Sequence, residues 1–290
     1  MRLVFLGTPE PSVVVLHALV GAGHDVALVV TRPDRRRGRG STILASPVKV
    51  AAEALGIAVT HRLGDLEGVK VERGVVVAFG ALVPASILDK TPMLNVHFSL
   101  LPRWRGAAPV ERAILAGDVE TGVSIMTLEA ELDTGPVHLE RRVEVGDKSS
   151  AALTNELAHL GAEALLEVLD SPTLLANPVA QSGQPTYAEK LTASTFHLDP
   201  SMTVAVARRM VRLGRAYCFV DGRRIGVLET TLSDSSVTSG FVGVEAMNVV
   251  LGFRDGALAL ERVRPEGSRA MDATQWWSGA RLDHVGLQWS

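Results

Sequence analysis

Three runs in the first eighty residues, Leu3 to Leu6, Val26 to Val30 and Val75 to Phe79, are apolar without a polar break, and Met93 to Phe98 is a fourth strand candidate. A strand with one wet face alternates apolar and polar side chains. A continuous run implies cover on both faces. Helical patterns separate these runs: Val14, Val15, Ala18 and Leu19 recur at helical spacing within Pro11 to Val20, and Pro47 to Leu55 reads the same way. Strands alternating with helices predict an α/β fold with an open, mostly parallel, Rossmann-like sheet and helices on both sides. Ligands of such sheets bind outside the carboxyl ends of the strands. Attention therefore falls on the residues just after Leu6, Val30, Phe79 and Phe98.

A long helix opens at Ser149, with Leu153, Leu157, Leu160, Ala164 and Val168 on one stripe, and ends near Asp170-Ser171-Pro172. Residues 171–190 carry Pro172, Pro178, Gly183 and Pro185 and read as an interdomain linker. The last hundred residues change character. A helix is expected from Asp199-Pro200, an N-cap followed by proline at the first helical position. Short strand-like runs follow at Ala216 to Val220, Ile225 to Leu228, Phe241 to Ala246, Val249 to Phe253 and Ala257 to Val263, parted by turn pairs such as Asp221-Gly222 and Asp255-Gly256. That pattern predicts a small antiparallel β-barrel. The expected organisation is a first domain over 1–170, a linker over 171–190 and a barrel domain over 191–290.

With 29 basic and 32 acidic side chains the net charge is −3, so nucleic acid binding would rest on local patches. A single cysteine, Cys218, excludes an internal disulfide and a cysteine-rich zinc site. No apolar run reaches the ~18 residues a membrane span needs, and no signal peptide is read at the start, so a soluble cytoplasmic protein is expected. Gly7-Thr8-Pro9-Glu10 lacks the second and third glycines of a dinucleotide-binding turn, no Gly-x-Ser-x-Gly elbow occurs, and no histidine or cysteine spacing suggests a metal.

The densest chemistry lies between Asn95 and Pro136. Alternation along a strand puts Asn95, His97 and Ser99 on one face. An amide can donate to a developing oxyanion, and an imidazole, with an ordinary pKa of about 6.5, can take and return a proton. Leu132-Asp133-Thr134-Gly135 supplies a carboxylate. Near the histidine it would raise the ring's basicity and fix its tautomer. By spacing alone, an Asn and a His on one strand face serve equally as structural hydrogen-bond partners.

Phe5-Leu6-Gly7-Thr8-Pro9, Thr31-Arg32-Pro33-Asp34, Gly38-Arg39-Gly40, Ser46-Pro47-Val48-Lys49-Val50, the block Asn95 to Pro109 (NVHFSLLPRWRGAAP), Leu132-Asp133-Thr134-Gly135 and Thr186-Tyr187-Ala188-Glu189-Lys190-Leu191 together resemble the methionyl-tRNA formyltransferase family. The resemblance runs over most of the chain. It implies a formyltransferase fold followed by an OB-like barrel. It also implies formyl transfer from 10-formyltetrahydrofolate to the α-amino group of methionyl initiator tRNA, in support of translation initiation. On that basis Asn95, His97 and Asp133 are the expected catalytic trio, Ser99, Leu100, Leu101 and Pro102 the folate-binding segment, and no metal is required. The chain departs from the family pattern at Phe98, where a small residue is usual, at Glu131, where glycine is common, and at Leu213-Gly214, in place of Asn-Pro.

Arg32, Arg35, Arg36, Arg37 and Arg39 fall within eight residues on the ligand side of the sheet. The resemblance places this loop near the tRNA acceptor end, and guanidinium groups suit phosphates and unpaired bases. Arg208, Arg212 and Arg215 form a second basic stripe at spacings of four and three, expected either to meet tRNA or to be a solvated face. Trp104 either packs beneath the site or meets the tRNA end. The expected partners are initiator tRNA and folate, without a membrane, for a monomeric protein. Two rivals stay open: a formyltransferase for a small amine, such as an amino sugar nucleotide, and an RNA-binding protein on a degenerate enzyme fold.

Overall fold

The computed structural model describes residues 1–36, 43–280 and 287–290. The chain divides into two compact units, Met1–Val110 with Val119–Glu144 and Leu153–Glu189, and Glu111–Asp118 with Val145–Ala152 and Lys190–Ser290. Residues 171–189, which read in sequence as a linker, are counted within the first unit.

The first unit is built on a seven-stranded sheet. Its spatial order is Val137–Glu144, Glu120–Thr127, Met93–His97, Arg73–Val77, Arg2–Gly7, Asp25–Val30 and Val59–Thr60. The five strands from Met93–His97 to Val59–Thr60 pair in parallel. The other two join antiparallel. Leu3, Val4, Phe5 and Leu6 are wholly buried, as an uninterrupted apolar strand demands. Helix Glu10–Gly21 buries Val15, Leu16 and Leu19. Helix Pro47–Ala54 starts at Ser46, whose hydroxyl accepts from the Lys49 amide at 3.1 Å. Strand order reverses between Arg2–Gly7 and Arg73–Val77. This switch point opens a crevice at the carboxyl ends, crossed by the Thr8 hydroxyl donating to the Phe79 carbonyl at 3.0 Å.

Three strands of this sheet, Val59–Thr60, Glu120–Thr127 and Val137–Glu144, add to those the sequence pattern predicts. Val137–Glu144 forms one edge of the sheet and leaves Arg142 and Glu144 exposed. Glu120–Thr127 lies between it and the parallel strands and is buried from Thr121 to Met126. Helix Ser150–Asp170 runs as expected, with the Ser149 hydroxyl accepting from the Ala152 amide at 3.2 Å. The sheet packs closely on this helix at Gly161. A Cβ on Gly161 would meet Val96 at 2.7 Å and Val123 at 3.3 Å, so the absent side chain makes room for these two strands, and Phe98 lies at an ordinary contact distance of 3.7 Å.

The second unit is an antiparallel barrel-like sheet ordered Tyr217–Val220, Arg223–Ser233, Gly256–Pro265, Asn248–Phe253, Phe241–Glu245 and Leu287–Gln288. Its ends meet: the Phe219 amide donates to the Ser290 carbonyl and the Ser290 amide returns a bond of 3.0 Å to Phe219. Val227, Val249, Leu251, Phe253, Leu258, Val263 and Trp289 fill the interior, with Cys218 among them as a buried free thiol. The expected helix start at Asp199-Pro200 is corrected. The Asp199 side chain instead accepts from the amide and hydroxyl of Ser201, at 2.8 and 2.6 Å, which closes a turn. The helix spans Val204–Val211, with Thr203 as its cap.

Candidate active site

Strand Met93–His97 delivers Asn95 and His97 to one face, 8% and 6% exposed. The Asn95 amide makes no side-chain hydrogen bond among the described residues, although it is buried. Its polar atoms are not among those both sealed from solvent and unpaired, so the amide tip reaches the surface of the cleft and presents an N–H donor ready for a ligand.

His97 is committed on one side only. Its Nε2 lies 3.0 Å from the Trp104 carbonyl oxygen. A carbonyl can only accept, so Nε2 carries the hydrogen and the neutral ring keeps its lone pair on Nδ1. Nδ1 faces Asp133 Oδ2 at 3.7 Å, too far for a hydrogen bond. Once Nδ1 takes a proton, that carboxylate stands opposite the positive ring. The tautomer is thus set by the Trp104 backbone and not, as the sequence suggests, by the aspartate.

Asp133 is 6% exposed and adopts a left-handed φ of 53°, a conformation aspartate tolerates better than most residues. The Gly106 amide donates to its Oδ2 at 2.7 Å. Gly106 has φ 121°, and a Cβ there would lie 2.9 Å from the Ala188 carbonyl oxygen, so the position requires glycine. Residues 104–106 lie against 186–188: the Trp104 amide donates to the Thr186 hydroxyl, the Arg105 amide to the Thr186 carbonyl and the Ala107 amide to the Ala188 carbonyl, at 2.9, 2.9 and 2.8 Å.

The turn after His97 is largely internal. Ser99 is wholly buried and its hydroxyl donates to the Arg103 carbonyl at 2.5 Å. Leu101 is buried, its amide donates to the Ser124 hydroxyl at 3.1 Å, and its bond to Pro102 is cis. The Ser124 hydroxyl in turn donates to the Ser99 carbonyl at 2.7 Å. Leu100 and Pro102 remain half-buried. A cavity of about 360 Å³ shares Leu101 and Gln181 with this neighbourhood and is lined also by His138 and Glu140. None of Asn95, His97 and Asp133 lines it, so it is not where the trio would react.

In the arginine run, Arg32 lies beside Thr8, its amide 3.4 Å from that hydroxyl, and Arg35 is exposed in a two-residue strand, Arg35–Arg36, paired with Ile43–Leu44. Arg37 and Arg39 lie outside the described residues. The second stripe is broken up. Arg208 pairs with Asp147 at 2.9 Å, and Arg212, just past the helix, donates to the Lys148 carbonyl at 2.9 Å. Burial pulls the Arg212 guanidinium below its ordinary pKa. Arg215 is exposed, its guanidinium 4.4 Å from the centre of the Phe196 ring. Trp104 carries the Arg103 guanidinium 4.4 Å from its ring centre.

Sequence reasoning misses the backbone of Trp104 and Gly106 and the side chains of Ser124 and Gln181. The first pair act through groups every residue possesses, Ser124 lies on a strand that the sequence pattern does not predict, and Gln181 lies 48 residues beyond Asp133. Among the described residues no group of three or more histidine, cysteine, aspartate or glutamate side chains could hold a metal, and no helix is long and apolar enough to cross a membrane.

Comparison with known proteins places this geometry among relatives. Residues 1–169 match the formyl transferase family and residues 190–281 the formyl transferase C-terminal domain. A methionyl-tRNA formyltransferase of Dinoroseobacter shibae is 41% identical over 98% of this chain and 100% of its own, and one of Roseobacter denitrificans is 39% identical over 98% and 97%. Among solved structures, HypX of Aquifex aeolicus in complex with tetrahydrofolic acid superposes with a TM-score of 0.71 at 16% identity. That match covers 99% of this chain, which spans about half the length of HypX. A methionyl-tRNA formyltransferase of Clostridium thermocellum gives a TM-score of 0.56 at 13% identity, over 87% of this chain and 100% of that one. At such identities the structural likenesses speak for the fold alone.

Proposed function

The chain belongs to the methionyl-tRNA formyltransferase family, and from that premise we infer that it transfers a formyl group from 10-formyltetrahydrofolate to the α-amino group of methionyl initiator tRNA, with Asn95, His97 and Asp133 as its catalytic residues. The observation that carries the residue assignment is the buried imidazole whose Nε2 bonds the Trp104 carbonyl and whose Nδ1 faces a buried carboxylate at 3.7 Å.

The neutral amine attacks the formyl carbon, a carbon–nitrogen bond forms, and the carbonyl oxygen becomes an oxyanion. The unspent Asn95 N–H donates to that oxygen. His97 Nδ1 accepts the proton released by the attacking nitrogen, and the imidazolium is balanced by Asp133. The proton then passes to the folate N10 as its bond to the formyl carbon breaks. Ser99, Leu100, Leu101 and Pro102 are assigned to the folate side. Ser99 and Leu101 shape the turn from within, and Leu100 and Pro102 present its surface. The reacting side chains all belong to the first unit, so this site needs no second copy of the chain. The cytoplasm is the expected compartment, because charged tRNA is used there.

For the nucleic acid, the run Arg32, Arg35, Arg36, Arg37 and Arg39 is assigned to phosphates of the acceptor end. Arg215, exposed in the second unit, is the best placed of its set, while Arg208 pairs with Asp147 and Arg212 bonds the Lys148 carbonyl through Nε with its Nη2 buried.

The test supplies 10-formyltetrahydrofolate with charged initiator tRNA, charged elongator tRNA or an amino sugar nucleotide. Formylation of the initiator tRNA alone supports the reading, and formylation of the sugar alone refutes it. Arg35→Ala should lower the log–log salt slope of tRNA binding by about one, and an unchanged slope removes that contact.

A further inference from the structure

We infer that Gln181 is a positioning residue that holds the Asp133 loop in its working conformation through Arg105. This rests on the reading of Asp133 as a catalytic carboxylate. The Gln181 Nε2 donates to the carbonyl oxygens of Asp133 and Gly135, each at 2.8 Å. Its Oε1 accepts from Arg105 Nε at 3.1 Å and from Arg105 Nη2 at 2.6 Å. The amide orientation follows from the partners: a guanidinium only donates and a carbonyl only accepts, so oxygen must face Arg105 and nitrogen the loop. All the hydrogen-bonding capacity of that –NH2 is spent on the two carbonyls that flank Thr134.

These contacts close a ring. His97 reaches the Trp104 carbonyl, Arg105 follows in the chain, its side chain grips Gln181, Gln181 grips the Asp133 backbone, and Asp133 returns to face His97. Gly106, the next residue, donates to the same carboxylate. Asp133 sits at φ 53°, a conformation that persists only where the surroundings enforce it. Two hydrogen bonds from one rigid amide on either side of Thr134 are such an enforcement. A segment that reads in sequence as a turn-rich linker is therefore part of the active-site frame.

Gln181→Glu is the test. It keeps the shape and the acceptors for Arg105 but loses both donors and sets a carboxylate against two carbonyl oxygens. Displacements near 1 Å in a catalytic group cost about a hundredfold. The expected result is a ten- to hundredfold fall in kcat, with KM for tRNA and folate within about twofold and the thermal midpoint held by the ion pair between the introduced carboxylate and Arg105. A kcat within threefold of wild type overturns the inference. So does a fall in kcat that only tracks a collapsed midpoint. Should the glutamate variant not fold, Gln181→Ala and Arg105→Leu serve. Both should lower kcat, and the double variant should be no worse than Gln181→Ala alone; additive losses overturn the inference. Asp133→Asn runs alongside. If it stays active, the reading of Asp133 fails. If it is inactive while Gln181→Glu is normal, only the role of Gln181 fails.

Discussion

Replacing Asn95 by alanine separates catalysis from stability, because the structure gives that side chain nothing to hold. The backbone of residue 95 pairs with Val76 on one side and Met126 on the other, and alanine keeps both ladders. The amide has no internal hydrogen-bond partner among the described residues, so its removal orphans no other group. What remains is the strand preference of the side chain, a term within roughly 1 kcal/mol, which shifts a midpoint of a chain this size by about 2–4 °C. In the transition state the balance is different. The amide is 8% exposed, so water cannot replace it freely, and loss of one donor to an oxyanion costs about 2.7–4 kcal/mol. The expected kcat is a hundredfold to a thousandfold lower. KM should change little, since the donation strengthens only as charge develops. Single-turnover formylation of charged initiator tRNA reads the chemical step directly. A rate within threefold of wild type, in a protein with an unchanged midpoint, would refute the assignment.

Gly106→Ala should lose more than a hundredfold in activity and also be destabilised. Its Cβ would press on the Ala188 carbonyl from a φ of 121° and draw the amide away from Asp133; melting and turnover measured together check this. Trp289→Ala should cost about 3–5 kcal/mol in urea unfolding of the second unit, since Trp289 is buried against Phe253 with ring centres 4.9 Å apart and its Nε1 donates to the Gly252 carbonyl. His138 gives a pH dependence. Burial, with a smaller contribution from Arg73, holds its imidazole below the ordinary 6.5, against an opposing hydrogen bond to the Leu174 carbonyl. A lowered value means the unfolded chain binds the proton more readily. The stability it contributes is therefore present above pH 6.5 and declines as pH falls, by up to about 1.4 kcal/mol per unit. His138→Gln should flatten that part of the urea-midpoint profile, and an unflattened profile would show that other groups carry it.

Much of this protein is written locally. Continuous apolar strands such as Leu3 to Leu6 announce burial on both faces, and close-set short strands announce an antiparallel barrel, because period and length are local properties of a chain. Asn95 and His97 are legible as neighbours because strand alternation places them. The helix at Val204 is harder to place, because Asp199-Pro200 reads as a start along the chain, whereas in the fold Asp199 closes a turn with Ser201 and the helix that buries Ala207 and Met210 begins after Thr203. Val137–Glu144 escapes notice because an edge strand owes its pairing to a partner the sequence does not display.

Residue types and their order thus determined the class of fold and the family, and singled out Asn95, His97 and Asp133 as the proposed trio. Tertiary structure decided how these three side chains are held: which nitrogen of His97 faces Asp133, the left-handed conformation of Asp133, and the hydrogen bond to its backbone from Gln181, 48 residues further on. The division has a physical cause. Periodicity is set by neighbours along the chain, whereas a tautomer and a clamped loop depend on hydrogen bonds between segments that meet only after folding.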